Sequence, residues 1–279
     1  ALLHAVDGAG AIPVPADIDP KDFNLSIRET KKKIRRKTKA IIVSHAFGRS
    51  SRMEEFLELG IPLIEDGTQA LGASCGRKKV GSFGPVSVFS FYATKMITTG
   101  EGGMVLTDSA RLAQEIRDLR DYDKKESFRF RMNAKMTDIA AAMGIEQLKK
   151  LPGFIVRRRE IARNYREILQ TPKVILPNED PARDHVYYRF VVRFLKGAKS
   201  CLKELQSREV DAKGPVFKPL HRYLGLPDSQ FPASSRALKE CVSLPIFPSL
   251  SPADEQEIGR VLQEVSSRKS SCSKVQAAV

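Results

Sequence analysis

Lys95 is the residue of this chain best placed for covalent chemistry. It follows a β-branched and aromatic run, residues 86–91, of the kind that packs as a covered strand. Groups just beyond the C-terminal end of a strand in an α/β sheet face the crevice where ligands bind. Ser90, Tyr92, Thr94, Thr98 and Thr99 flank the lysine with hydroxyls, and Gly100, Gly102 and Gly103 let the following backbone turn tightly. An amine in this setting is a nucleophile held beside an anionic group. The plain alternative is a solvated loop lysine. Asp66 argues against that alternative. It ends a second apolar run, IPLIED (61–66), and is followed by Gly67, Thr68 and Gln69. A lysine and a carboxylate at the ends of two strands are the groups that pyridoxal 5'-phosphate requires. The amine carries the cofactor, and the carboxylate keeps the ring nitrogen protonated so that the ring serves as an electron sink.

Such residues need a sheet to hold them. Short apolar runs at 39–48, 61–66, 86–91 and 104–107 alternate with helical stretches at 24–34, 52–59 and 110–120, the pattern of a largely parallel sheet. AIPVPADID near the start reads as a short strand and a turn. Asp108-Ser109 reads as a helix cap, residues 137–151 form a strong helix with Asp138 in its first turn, and Pro152-Gly153 is expected to interrupt it before a basic helix to residue 169. A linker-like passage, 171–185, leads to a strand at 186–194, helices at 201–208, 234–241 and 252–265, and extended stretches between them. The end of the chain is small and polar, and is expected to be disordered. The expected division is residues 1–152 as a cofactor-binding unit, 153–265 as a smaller α+β unit with its connecting helix, and 266–279 as a tail.

The chain has 279 residues, enough for a substantial core. No apolar run approaches the ~20 residues of a membrane span, and the start lacks the features of a signal peptide. The four cysteines (75, 201, 241, 272) and four histidines (4, 45, 185, 221) are scattered, so reduced thiols, a cytoplasmic location and no metal site are expected. The net charge of +14 raises the question of nucleic acid. The densest runs, KKKIRRKTK (31–39) and Arg157 to Arg159, carry no recognised nucleic-acid motif, so nucleic acid is not the expected partner. An anionic nucleotide-sugar explains a positive field more economically.

The blocks IEDGTQALGA, GRKKVGSFGPVSVFSFYATKMITTGEGGMVLTD, LRDYDKK and NAKMTDIAAAMGIEQLKKL closely resemble the DegT/DnrJ/EryC1/StrS family of pyridoxal-phosphate sugar aminotransferases. The resemblance runs from about residue 5 to residue 265 and is most specific over 64–148. It implies the fold of the aspartate aminotransferase type: an α/β large domain with a mainly parallel central sheet, plus a smaller C-terminal α+β domain. It also implies transfer of an amino group, from glutamate, to a keto group of a nucleotide-linked sugar, in a homodimer with shared active sites. Lys95 would carry the cofactor and move the proton; relatives that act as dehydratases replace this lysine with histidine, so lysine favours amino transfer. Asp66 would pair with the ring nitrogen, its alternative being a carboxylate that caps the following turn. Gln69, more than Thr68, falls where the family reaches the 3'-hydroxyl. Ser90 falls where a serine binds the phosphate, its alternative being a strand serine bonded to a neighbouring carbonyl.

Asn133 matches the asparagine that reaches the partner subunit's phosphate, although Ala134 stands where an aromatic residue is usual. Lys135 falls at the usual basic position there. His45 in SHAFG and His221 in KPLHRYLG match positions near the cofactor and the sugar, and are candidate substrate contacts; a histidine satisfied within its own strand–loop junction is an equal reading of His45. The family's upstream segment, with phosphate-binding backbone N–H groups and a side chain stacked on the ring, has no counterpart after Ala1. A fragment with an incomplete phosphate cup and exposed apolar surface is therefore expected, and an inactive member with a regulatory or partner-binding role is the alternative to the enzyme.

Overall fold

The computed structural model describes residues 1–267. In chain order the elements are α1 (Leu2–Gly8), α2 (Ile27–Lys33), β1 (Ile41–Ser44), α3 (Met53–Leu57), β2 (Leu63–Asp66), β3 (Ser74–Cys75), β4 (Lys78–Lys79), β5 (Val86–Ser90), β6 (Gly103–Leu106), α4 (Ala110–Leu119) and α5 (Asp138–Ile168). Then follow β7 (Val174–Ile175), β8 (Phe190–Phe194), α6 (Ala198–Gln206), α7 (Leu220–Tyr223), α8 (Pro232–Glu240), β9 (Cys241–Leu244) and α9 (Pro252–Ser267). The central sheet runs β1-β2-β5-β6. Its first three strands are parallel and β6 is antiparallel to β5, which gives the mainly parallel α/β sheet that the sequence implies.

Register decides which side chains share a face. Val43 lies opposite Glu65, and Glu65 opposite Ser87, while Ser44 lies opposite Asp66 and Asp66 opposite Val88. With side chains alternating along each strand, Ile41, Val43, Leu63, Glu65, Ser87 and Phe89 fall on the buried face. Ser44, Asp66 and Ser90 fall on the other, half-buried face, near the C-terminal strand ends. Ile41, Val43 and Leu63 pack with Met53 and Phe56 of α3. Phe89 packs with Ala70, Ala73, Met96 and Ile97.

A second, antiparallel sheet of order β7-β8-β9 packs with α5, α6 and α9 around a larger apolar cluster that includes Tyr165, Phe190, Phe194, Leu205 and Leu262. The helix α5 joins the two regions. Its Leu151 and Ile155 belong with the Phe89 cluster, and its Ile161 and Tyr165 with the second. Between them the buried Arg158 donates from Nη1 to the carbonyls of Tyr187 (3.0 Å), Tyr188 (3.4 Å) and Ile246 (2.7 Å).

Three expectations are corrected. The helix does not stop at Pro152 but runs unbroken for 31 residues. Proline removes one backbone donor and crowds the carbonyl four residues back; here Pro152, Gly153 and Leu148 are exposed, where water can satisfy that carbonyl, and packing on both sides holds the helix together. AIPVPADID forms no strand beyond a single bridge from Ile18 to Leu25. The strand placed at 186–194 begins only at Phe190, because Tyr187 takes φ 49°, which an extended chain does not allow. The expected tail lies almost wholly in residues 268–279, outside the described residues.

The cap of α4 is Ser109 of the expected pair, and Thr137, read as the first helical residue, instead caps α5. The Ser109 and Thr137 hydroxyls accept from the N–H groups of Leu112 and Ala140. The basic run after α2 is partly spent on the helix itself: Lys32 pairs with Glu29, and Arg35 donates to the carbonyls of Lys32 and Ile34. One face stays open. No residue of α4 is buried, β6 is exposed throughout, and Phe128, Phe130 and Ile139 are largely exposed. Among the described residues no helix is long and apolar enough to cross a membrane.

Candidate active site

Asp66 is held at both carboxylate oxygens. The Ser44 hydroxyl on the neighbouring strand donates to Oδ2 at 3.0 Å, and the Thr68 N–H donates to Oδ1 at 3.1 Å. Two donors from two elements fix the plane of the carboxylate and leave lone pairs free for a third. Thr68 thus contributes through its backbone. The next residue, Gln69, accepts the Phe47 N–H at Oε1 (2.8 Å), which turns its amide NH₂ outward as a donor.

Ser90 ends β5 beside this carboxylate. Its Oγ accepts the Tyr92 N–H at 3.3 Å, so its own proton remains available to a ligand. The chain then loops back on itself: the Thr99 N–H donates to the Phe91 carbonyl and the Phe91 N–H to that of Gly102. Lys95 sits in this closed loop, half-buried, with Nζ 5.3 Å from the centre of the Tyr188 ring. Arg189 lies over the same ring at 5.6 Å. The ring face restrains the Lys95 side chain by a cation–π contact and occupies none of its hydrogen-bonding capacity.

Tyr188 was not singled out from the sequence. It lies 93 positions beyond Lys95 and is brought there by Gly48. That glycine has φ +101°, and a methyl group on it would approach the Tyr188 backbone nitrogen to 2.6 Å. Gly48→Ala is therefore expected to cost about 2–4 kcal/mol of unfolding free energy, from the strained φ and the backbone clash together. Chemical denaturation measures it, and a midpoint equal to wild type would refute the close approach.

The two candidate histidines do not fit substrate contact. His45 is buried; its Nδ1 accepts the Ser51 N–H at 3.0 Å, and its Nε2 lies 3.3 Å from the Glu65 carboxylate. Both ring nitrogens are taken, and the ring braces the two strands below the site. Glu65 also accepts the N–H groups of Gly81 (2.8 Å), Phe83 (2.6 Å) and Gly84 (2.7 Å). Burial alone would raise its carboxyl, but the hydrogen bonds from His45 and these three N–H groups outweigh it and leave the group below its ordinary value. His221 is buried too, with Nε2 3.0 Å from Asp228 and its ring stacked on Phe231 at 4.5 Å. It organises the start of α8 through Nε2 and its stacked ring. Asn133 lies apart from these groups, exposed on the open face, in a segment tied down by the Met132 N–H to Leu119 and the Ala134 N–H to Arg120. Lys135 beside it pairs with Asp121.

Lys95, Asp66, Ser90 and Gln69 thus lie on consecutive strand ends. Comparisons with known proteins bear on the chain as a whole. The model of the DegT/DnrJ/EryC1/StrS aminotransferase family matches residues 1–263. The dTDP-3-amino-3,6-dideoxy-alpha-D-galactopyranose transaminase of Aneurinibacillus thermoaerophilus is 33% identical over 276 residues, covering 95% of this chain and 75% of the relative. The GDP-perosamine synthase of Caulobacter vibrioides is 31% identical over 283 residues, covering 95% and 76%. Among solved structures, S. venezuelae DesV, crystallised with a ketimine intermediate, superposes with a TM-score of 0.89 at 28% identity, covering 95% of this chain and 75% of DesV. With the family model matched over nearly the whole length and relatives above 30% identity covered to about three quarters of theirs, the chain belongs to the DegT/DnrJ/EryC1/StrS aminotransferase family.

Proposed function

We propose that this chain is a pyridoxal-phosphate-dependent aminotransferase that places an amino group on a keto carbon of a nucleotide-linked sugar. The observation that carries the reading is the placement of Asp66 at the end of β2, and of Ser90 and then the Lys95 loop at the end of its parallel neighbour β5. That donor set fits the cofactor: a carboxylate for the ring nitrogen, an amide for the ring hydroxyl, a hydroxyl for the phosphate, and an amine. When bound, the cofactor supplies an electron sink for the carbon that loses its proton.

The chain's own groups do the rest. Asp66, fixed by Ser44 and the Thr68 N–H, keeps a proton on the ring nitrogen. Gln69 donates its amide to the ring hydroxyl, and Ser90 donates to the phosphate. Lys95 Nζ takes up a proton and returns it, within a loop whose closure on Phe91 limits its travel.

A nucleotide-sugar substrate rests on relatives named for GDP- and dTDP-linked sugars and on the chain's positive charge. Glutamate as donor rests on the family resemblance. A homodimer with shared sites is supported by the exposed Phe128, Phe130 and Met132, which border Asn133 on the open apolar face. We assign residues 1–152 to the cofactor-binding unit and 153–265 to the second unit, with α5 as their shared spine.

Titration with pyridoxal phosphate tests the reading. A visible absorption band that borohydride abolishes, and that glutamate converts to a shorter-wavelength one, is the expected result; no band at saturating cofactor would overturn it. Asp66→Asn should keep the borohydride-sensitive band and lower single-turnover conversion by glutamate about 10²–10³-fold. Full conversion at the wild-type rate would remove Asp66 from the proposed role.

A further inference from the structure

A small cleft away from these strand ends gathers cationic and donor side chains for which the proposed chemistry has no use. It is a narrow, partly open cleft lined in part by Lys21, Phe47, Arg49, Asn178 and His185. Arg49 is only 3% exposed, and its Nε has no hydrogen-bond partner among the described residues. A buried guanidinium with an unmet donor is costly unless something supplies an acceptor.

The nearest candidate is already engaged. Asp22, which also lines the cleft, takes Arg183 on Oδ2 at 2.6 Å and the Asn24 N–H on Oδ1 at 3.0 Å. Arg183 in turn holds Asp180 at 2.8 Å. Two arginines thus face two carboxylates, but both carboxylates are bonded to the same one. The other lining groups add donors: the His185 Nδ1 accepts the Tyr187 N–H at 3.0 Å, which leaves Nε2 as the protonated nitrogen of the neutral ring. Burial, with the charges of Arg49, Arg159 and Arg166, keeps that ring neutral by holding it well below its ordinary value. The Lys21 amine and the Asn178 amide make no hydrogen bond or ion pair among the described residues.

Backbone strain collects here as well. Phe23 (φ 64°), Phe47 (φ 57°) and Tyr187 (φ 49°) are three of the five non-glycine residues with positive φ among those described. The first two line the cleft, and the third stacks on His185 at 4.0 Å. Positive φ at such residues persists only where surrounding structure enforces it, and it concentrates at binding sites.

We propose that this cleft is a binding site for a small oxyanion, a phosphate or carboxylate group, held by Arg49 with Lys21, Asn178 and His185.

The test is the thermal unfolding midpoint of the full chain in inorganic phosphate or in acetate, at constant ionic strength against sodium chloride. At least one oxyanion should raise the midpoint saturably by a few degrees. Phosphate alone doing so assigns a phosphate group, and acetate alone a carboxylate. The rise should be lost in Arg49→Met, weakened in Lys21→Ala and Asn178→Ala, and kept in Ser90→Ala, which affects the expected cofactor-phosphate position. Should Arg49→Met not fold, the two lining variants decide. No saturable rise with either ion overturns the proposal, as does a rise unchanged in Lys21→Ala and Asn178→Ala or one abolished by Ser90→Ala.

Discussion

Lys95→Ala is expected to abolish the borohydride-sensitive absorption band and to lower amino transfer by at least roughly 10⁴-fold. The amine is both the covalent anchor and the proton carrier of the proposed reaction, and its neighbours cannot replace it. Within its loop the other groups are hydroxyls, and Arg189, which shares the Tyr188 ring, stays protonated and has no nucleophilic lone pair. Lys95→Arg separates charge from chemistry. It keeps a cation over the ring, so folding and reversible cofactor binding should survive while the band and turnover do not. A Lys95→Ala protein that keeps both band and turnover would exclude the covalent role.

Glu65→Leu is expected to cost about 3–5 kcal/mol of stability. The side chain is fully buried, and its removal orphans the N–H groups of Gly81, Phe83 and Gly84 together with His45 Nε2. Its pH dependence has a definite sign. The folded-state carboxyl lies below the ordinary value of 4.5, so its contribution is complete above that value and is lost as pH falls through the lower folded one. Wild type should therefore lose stability on acidification below about pH 4.5, and Glu65→Gln should lose less over that interval. Urea midpoints measured across pH 3 to 7 decide it; parallel curves for the two proteins would show that Glu65 carries no linkage.

The placement of Asp66, Ser90 and Lys95 at strand ends was legible because its logic is local. Asp66, Ser90 and Lys95 follow apolar runs that could only be covered strands, and strand ends in such sheets point at ligands. The histidines were not legible for the opposite reason. What a ring nitrogen does depends on its partner, and the partner of His45 comes from the adjacent strand, 20 residues on. Glu65 looked like one more residue of IPLIED until the register turned it onto the buried face beside Val43 and Ser87. Tyr188 and Arg49 drew no signal at all, since one acts through a ring beneath a distant amine and the other through an unmet donor. Pro152 misled because its cost depends on which side of the helix faces water, a property set by packing.

The clamp made by Arg158 has a mechanical consequence. The helix that bears it is about 46 Å long at the usual rise per residue, and the guanidinium holds Tyr187 and Tyr188 on one hand and Ile246, next to β9, on the other. The aromatic floor under Lys95 is thus bolted to the same rigid beam as the second sheet. A shift of the second sheet on α5 would act on the backbone of Tyr187 and Tyr188 through one shared guanidinium.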